Sequence, residues 1–506
     1  MKRILSLVLV LLMLGSLLVA CQSTPTETPK DTTAQSGDVN SEKPDDSEKN
    51  PSSDTSDGGN TDDKGFIKDT LPDDIDYDGK KVSMLGWKDC KNTAWPEEGN
   101  ANDPIQDTSY WHKKSVEDRM GIEFDVYYES AGWSAQATFL TTARSEDAAY
   151  DLIQSQLLLP PVLAQEGRLS NLKKLQYPDL EKPWWPDSVE LWTQYGALFY
   201  IGSNSSANSL GKLTVLFANQ NMIAEAGLGN PVKLALRGGW TFEQMRTYSR
   251  SFAGLAEANP GEIYGFACDA ASRLDSLYYA SGFTGTLNNA DGIAELCYDD
   301  KETLEQIVNM IDLYVEFFGG VETKINNTDT KQLYEETTAF FLGCLELIRK
   351  VDDSETYAVL PLPKLTEEQT EYATIHSDAT DIWCIPISAS DKELSGIILE
   401  ANASAEYRSV APFFFDQYLK KRYSSDAEGM QCFELIRDSI VYDFGKANYF
   451  ASIHVDNMFR SCFYTYGSNP GVTVKNIFMT EYAKEIEAKR LALTKLLEDY
   501  QKYKDQ

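Results

Sequence analysis

Along most of this chain apolar residues recur with the alternating periods of strands and helices. Tyr77-Asp78-Gly79-Lys80-Lys81 has turn chemistry, and Val82-Ser83-Met84-Leu85-Gly86-Trp87 after it predicts a buried strand that runs into a loop. Between Ile105 and Met120, the residues Trp111, Val116 and Met120 stand at helical spacing, Gly121 stops the pattern, and residues 122–128 then alternate as a strand. A second set follows, with a helix over 135–145, a short strand at 150–153 and a helix over 161–166 that Gly167 closes. Strand, helix, strand is the crossover unit of a mainly parallel sheet flanked by helices. Such sheets bind ligands beyond the carboxyl ends of their strands, which directs attention to Trp87, Asp89, Gln154 and Gln156. Trp184-Trp185, between Pro183 and Pro186, falls in an irregular loop that caps the core or rims the cleft. Near the end of the chain Met479, Tyr482, Ile486, Leu493, Leu497 and Tyr500 form one helical stripe, which predicts a helix packed along one face.

The first twenty residues break from this pattern. Lys2 and Arg3 precede an apolar run from Ile4 to Leu14, shorter than the ~20 residues that cross a bilayer, and Leu18-Val19-Ala20-Cys21 closes it. This is the layout of a secretion signal, and its end matches the bacterial lipobox, so residues 1–20 are expected to be removed and Cys21 acylated. Residues 21–65 are rich in Ser, Thr, Asp, Pro and Gly, carry an acidic excess and contain no aromatic residue before Phe66. Such a segment cannot bury enough apolar surface to order itself and is expected to be a disordered acidic tether.

Composition then narrows the function. A formal net charge of −32 over 506 residues argues against nucleic-acid binding and against polybasic attraction to lipid, leaving the acyl chain as the membrane contact. The expected location is therefore the outer face of a bacterial cytoplasmic membrane. Three histidines, His112, His376 and His454, lack metal-ligand spacing, and no phosphate loop, nucleophile elbow or kinase signature is present. Neither a metal nor a cofactor is expected. Apart from Cys21 the cysteines sit in apolar settings without a C-x-x-C pair, as buried thiols do. About 440 residues after the tether exceed what one core covers, so two lobes are expected.

Several blocks, in order and over nearly all of the chain after the tether, resemble the sugar-type extracellular solute-binding proteins of bacterial ABC importers. Ser83 to Trp87 with Gly121 to Val126 match an early strand and the "G-I-x-V" block of that family. Tyr150-Asp151-Leu152-Ile153 with Gly167 to Leu172 match its "yDli … G-x-L-x-d-L" block. Val215 to Leu228, followed by Trp240-Thr241-Phe242-Glu243-Gln244-Met245, answer "lyYNkdlfekaGl … W-T-w-d-e-f", with Ala218 and Gln220 in place of the usual Tyr and basic residue. Thr241 with Gln244 three residues later is also a helix-initiating pair on physical grounds. Tyr357 to Pro363 and Asp381 to Ser388 resemble later strands, although Leu345 stands where many sugar binders carry Trp.

The resemblance implies an α/β, two-lobed periplasmic-binding-protein-like (type II) fold with a hinge between the lobes and mainly parallel sheets. Lobe 1 would hold residues 66–205 and 380–425, and lobe 2 residues 206–379 and 426–506. It implies a monomeric receptor, not an enzyme, that captures a carbohydrate or sugar-like solute by cleft closure and delivers it to an ABC permease. Sugars offer an apolar ring face and a rim of hydroxyls, so stacking rings and polar side chains are the chemistry required. Trp87, Trp240 and Trp383 lie at strand ends or loops of matched blocks and are the candidate rings, with Asp89, Gln156, Asn204 and Asp381 as candidate polar partners. The other readings are a lipid-anchored polysaccharide hydrolase and a sensor or adhesin no longer tied to transport.

Overall fold

The computed structural model of the protein describes residues 61–506 apart from 130–131, 146–149, 269–270, 326–329, 352–355, 420–426, 456–458, 460–461 and 463–472. The expected signal, Cys21 and nearly all of the tether lie outside the described residues. In chain order the strands are Lys80–Trp87 (β1), Ile122–Glu129 (β2), Leu152–Gln156 (β3), Ile201–Gly202 (β4), Thr214–Asn219 (β5), Tyr264–Cys268 (β6), Thr286–Asn288 (β7), Ala294–Leu296 (β8), Thr323–Lys324 (β9), Thr338–Cys344 (β10), Tyr357–Leu360 (β11), Thr374–Ile375 (β12), Asp381–Cys384 (β13) and Ile440–Val441 (β14).

They build two five-stranded sheets, ordered β2-β1-β3-β13-β4 and β11-β5-β10-β6-β9. In the first, β1 runs parallel to β2 and β3, while β13 returns antiparallel to β3 and β4. In the second, β6 is parallel to β9 and β10, and β5 is antiparallel to β10 and β11. Each sheet therefore has a parallel portion of the expected kind, to which strands arriving from the other lobe are added antiparallel. Strands covered by helices on both faces read as unbroken apolar runs. Val215 to Ala218 and Ala339 to Leu342 are such runs, and all of their residues are buried. The chain passes from the first sheet to the second over residues 202–214 and comes back over 375–381. Beside this crossing β12 and β14 pair as a short parallel ribbon.

Local sequence explains the helix ends. The Asp103 side chain accepts from the amides of Ile105 and Gln106, Pro104 opens the helix Pro104–Met120, and Gly121 closes it at φ 61° in the left-handed region that favours glycine. Thr241 caps Phe242–Arg250 by accepting from the Gln244 amide at 3.4 Å, as its sequence context predicts. Trp111 departs from expectation, because it is 62% exposed. The buried stripe runs instead through Ile105, Ser109, His112, Val116 and Met120, and a position one residue off that stripe is turned by about 100° away from the core.

The last helix, Val474–Tyr503, spans about 45 Å at 1.5 Å per residue. Ile477, Phe478 and Ile486 pack into the apolar cluster of the second sheet, whereas Leu493, Leu496 and Tyr500 pack into that of the first. It thus belongs to both lobes, although the sequence blocks placed all of residues 426–506 with lobe 2. Its far end is pinned where the Asn171 side-chain amide donates to the Lys504 carbonyl at 2.6 Å. No helix among the described residues is long and apolar enough to cross a membrane.

Candidate binding site between the two sheets

The carboxyl ends of β1, β3 and β4 and the start of β13 share one edge of the first sheet, because β13 runs against its neighbours. In register, Asp381 faces Gln156 and Trp383 faces Gln154. This edge therefore gathers Trp87, Asp89, Gln156, Asn204, Asp381 and Trp383. Trp240 is elsewhere, fully buried in the core of the second sheet with its ring 5.5 Å from Phe340.

Within the group the rings turn into the core. Trp87 and Trp383 are 2% and 3% exposed, one edge-on to Phe139 at 5.3 Å and the other to Trp95 at 5.4 Å. Asp89 is exposed and accepts from the Trp87 indole N–H at 3.2 Å and the Gly132 amide at 3.0 Å. Asp381 is buried; its Oδ1 accepts from Ser206, Ser209 and Asn208 at 2.9, 2.8 and 3.3 Å, while Oδ2 lacks a partner. Burial raises its carboxyl above the usual carboxylate range. Gln156 is buried as well, with no partner for its amide nitrogen among the described residues.

Where the crossing segments meet there is a small cavity, about 20 Å³ and roughly the room of one water. Trp192, Asn204, Ser209, His376, Tyr442 and Lys446 are among its lining residues. The Tyr442 hydroxyl donates to Asn204 Oδ1, and the Tyr442 ring lies along His376 at 5.7 Å and edge-on to Trp192 at 5.8 Å. Burial, with Lys446 nearby, lowers the His376 ring to a pKa of about 3, so it is neutral. Its Nε2 and the Trp192 indole N–H are buried without partners among the described residues, hydrogen-bonding capacity that a polar guest would satisfy.

Val441 and Tyr442 also line an adjoining chamber of about 240 Å³, which Tyr279, Phe283, Thr284 and Thr286 help enclose. Asp443 braces this wall. Its carboxylate accepts from the Tyr279 hydroxyl, the Gly285, Thr286 and Gly445 amides and the Thr286 hydroxyl, at 2.6–3.1 Å. A Cβ at position 285 would come within 2.7 Å of that carboxylate, which accounts for Gly285. Apolar rings beside hydroxyl and amide groups can receive a polyol through stacking and hydrogen bonds. Of the residues predicted from sequence, Asn204 alone lines the small cavity and none lines the chamber. Trp192, His376 and Tyr442 carry no local signal, since partners 238 residues apart, such as Asn204 and Tyr442, meet only through the tertiary fold.

Behind the first sheet His112 Nε2 contacts Asn402 Oδ1 at 2.8 Å, and the Asn402 amide donates to Glu406 at 3.3 Å, where Ala405 gives way to a wider π-helical turn. Burial, with Asp381 adding repulsion, lifts the Glu406 carboxyl to about 8, while burial lowers His112 to about 4. The folded state therefore holds a proton on Glu406 that the unfolded chain releases above about pH 4.5. Stability from this group is full below that pH and is lost as pH rises toward 8. The melting temperature of Glu406→Gln relative to the unchanged protein is expected to rise between pH 5 and pH 8 in thermal denaturation. A difference that stays constant with pH would mean that Glu406 is ionised in the fold.

No family model and no curated protein matches the chain. Solved structures do match. An ABC transporter solute-binding protein from Thermotoga lettingae, bound with α-D-tagatose, is 15% identical, with 83% of this chain and 100% of that one covered at a TM-score of 0.50. An ABC substrate-binding protein from Listeria monocytogenes in complex with cycloalternan is 13% identical, with coverages of 82% and 98% and a TM-score of 0.53. The ABC transporter associated binding protein of B. animalis subsp. lactis, in complex with β-1,6-galactobiose, is 12% identical, with coverages of 82% and 98% and a TM-score of 0.54. With its two α/β sheets joined by crossing segments, this chain has the fold of ABC-transporter solute-binding proteins.

Proposed function

We propose that this chain is a non-catalytic extracellular receptor that captures a carbohydrate between its lobes and presents it to an ABC permease. The observation that carries the reading is the Tyr442, Asn204, His376 and Trp192 constellation at the crossing of a fold whose matched structures include sugar complexes. In this reading Cys21 carries the lipid anchor, residues 22–65 hold the body away from the membrane, and the receptor works as a monomer. The two lobes, residues 66–205 with 380–425 and residues 206–379 with 426–506, whose last helix also packs on the first lobe, close on the solute. A ligand that touches both lobes binds the closed form best and so draws the population toward it.

The first-sheet residues Trp87, Asp89, Gln156, Asp381 and Trp383 support the site from behind, and Asn204 and Tyr442 meet the solute. A thermal-shift screen of tagatose, cycloalternan, β-1,6-galactobiose and the common malto- and cello-oligosaccharides is expected to yield stabilising ligands, because any ligand of the native state raises its melting temperature. Tyr442→Ala should weaken binding of a hit about ten- to hundredfold through loss of the half-buried ring. Tyr442→Phe, which keeps the ring and loses the bond to Asn204, should weaken it severalfold with stability retained. A screen without any stabilising sugar would overturn the reading.

A further inference from the structure

Outside the chamber lies an open groove of about 590 Å³, within the range of small-molecule sites, and Asn288 lines both spaces. Half-buried Leu180, Val189 and Ile293 line it together with exposed Lys173, Glu181 and Asp291. One wall is the turn at Tyr195-Gly196 and the other is the β7–β8 hairpin.

The turn is unusual. Gln194 and Ala197 exchange backbone hydrogen bonds at 3.0 and 2.9 Å across a two-residue loop in which Tyr195 has φ 52° and Gly196 φ 77°. A loop with both central residues at positive φ ordinarily takes Asn-Gly or Asp-Gly, because a bulky side chain is strained there. Here a tyrosine occupies the strained position and remains 40% exposed at the groove. Strain kept at a surface residue that contributes little packing points to a use for its ring.

That ring is also held in register with the chamber. Gln194, the residue before it, donates to Asn288 Oδ1 at 3.2 Å and accepts from the Ala294 amide at 2.9 Å. Asn288 in turn donates to the Glu190 carbonyl at 3.3 Å. The hairpin and the turn are thus clamped to each other.

Resting on the receptor reading above, we propose that the groove is an outer carbohydrate subsite with Tyr195 as its stacking platform, and that it takes the distal units of an oligosaccharide whose end lies in the chamber beside Tyr442. The solute class is then a chain of several sugar units, with an apolar ring face on Tyr195 and hydroxyls toward Lys173, Glu181 and Asp291.

Isothermal titration of the full chain with maltose through maltohexaose, cellobiose through cellohexaose and β-1,6-galactobiose through its tetramer tests this. Affinity is expected to rise with length in the series that binds. Tyr195→Asn, which suits the left-handed turn, should keep or raise the melting temperature and leave disaccharide affinity unchanged. It should cut the affinity of the longest member about three- to tenfold, the range of one stacking contact, whereas Tyr195→Phe should retain it. Binding independent of length, or equal loss for short and long members, overturns the outer subsite while the receptor reading stands. Absence of binding by every series overturns both.

Discussion

Replacing Asp443 by asparagine is expected to lower the unfolding free energy by about 3 kcal/mol or more, as large a loss as its replacement by alanine. An ionised carboxylate only accepts, and five groups among the described residues donate to this one: the Tyr279 hydroxyl and the Gly285 amide to Oδ2, and the Thr286 amide, the Thr286 hydroxyl and the Gly445 amide to Oδ1. Hydrogen bonds to a charged group contribute about 1.5–3 kcal/mol each, and orphaned buried donors cost about 1–3 kcal/mol. An asparagine would turn an NH₂ group toward donors on one side, so the isosteric change is not a mild one. Urea denaturation of both variants measures the effect. A loss below about 1 kcal/mol for Asp443→Asn would show that the wall of the chamber is held by packing alone.

Trp240→Ala is expected to cost about 3–5 kcal/mol of stability, the range for removing a large ring from a packed core. Trp240 is fully buried among Tyr248, Phe340 and the second-sheet cluster, in the short link between the helices Pro231–Leu236 and Phe242–Arg250, and its removal leaves a hole in that core. The same denaturation experiment, run beside titration with a screened sugar, separates a core role from a binding role. Unchanged stability with lost affinity would return Trp240 to the binding site.

These two residues mark what the sequence disclosed and what it withheld. Trp240-Thr241 predicted a helix start, and the Thr241 cap appears there, because capping is a contact within four residues. The first-sheet edge was partly legible: the strand end at Trp87 is a local pattern, the short strand read at 150–153 runs on to Gln156, and the returning strand at Asp381 was implied by the family resemblance. A tryptophan at a strand end, however, suits a core as well as a cleft, and nothing along the chain records which way its ring turns. Trp87 and Trp383 turned inward. Tyr442 has no local signal and His376 lacks only metal-ligand spacing along the chain, since each acquires its place at the cavity from segments that arrive from far along the chain. Trp111 failed for a simpler reason: three residues near helical spacing do not fix a stripe when charged neighbours such as Glu117 and Lys113 share the buried face.

The helix Val474–Tyr503 alters the mechanics of any movement between the lobes. Strands that cross a hinge bend readily in several directions, but a rod about 45 Å long with Phe478 seated in one core and Tyr500 in the other curves only gently unless its backbone hydrogen bonds break. It acts as an axle. The lobes can twist about its line, or one can roll along its side by small shifts of Leu493 and Leu496, yet they cannot swing apart at that end without pulling a buried aromatic ring from its socket.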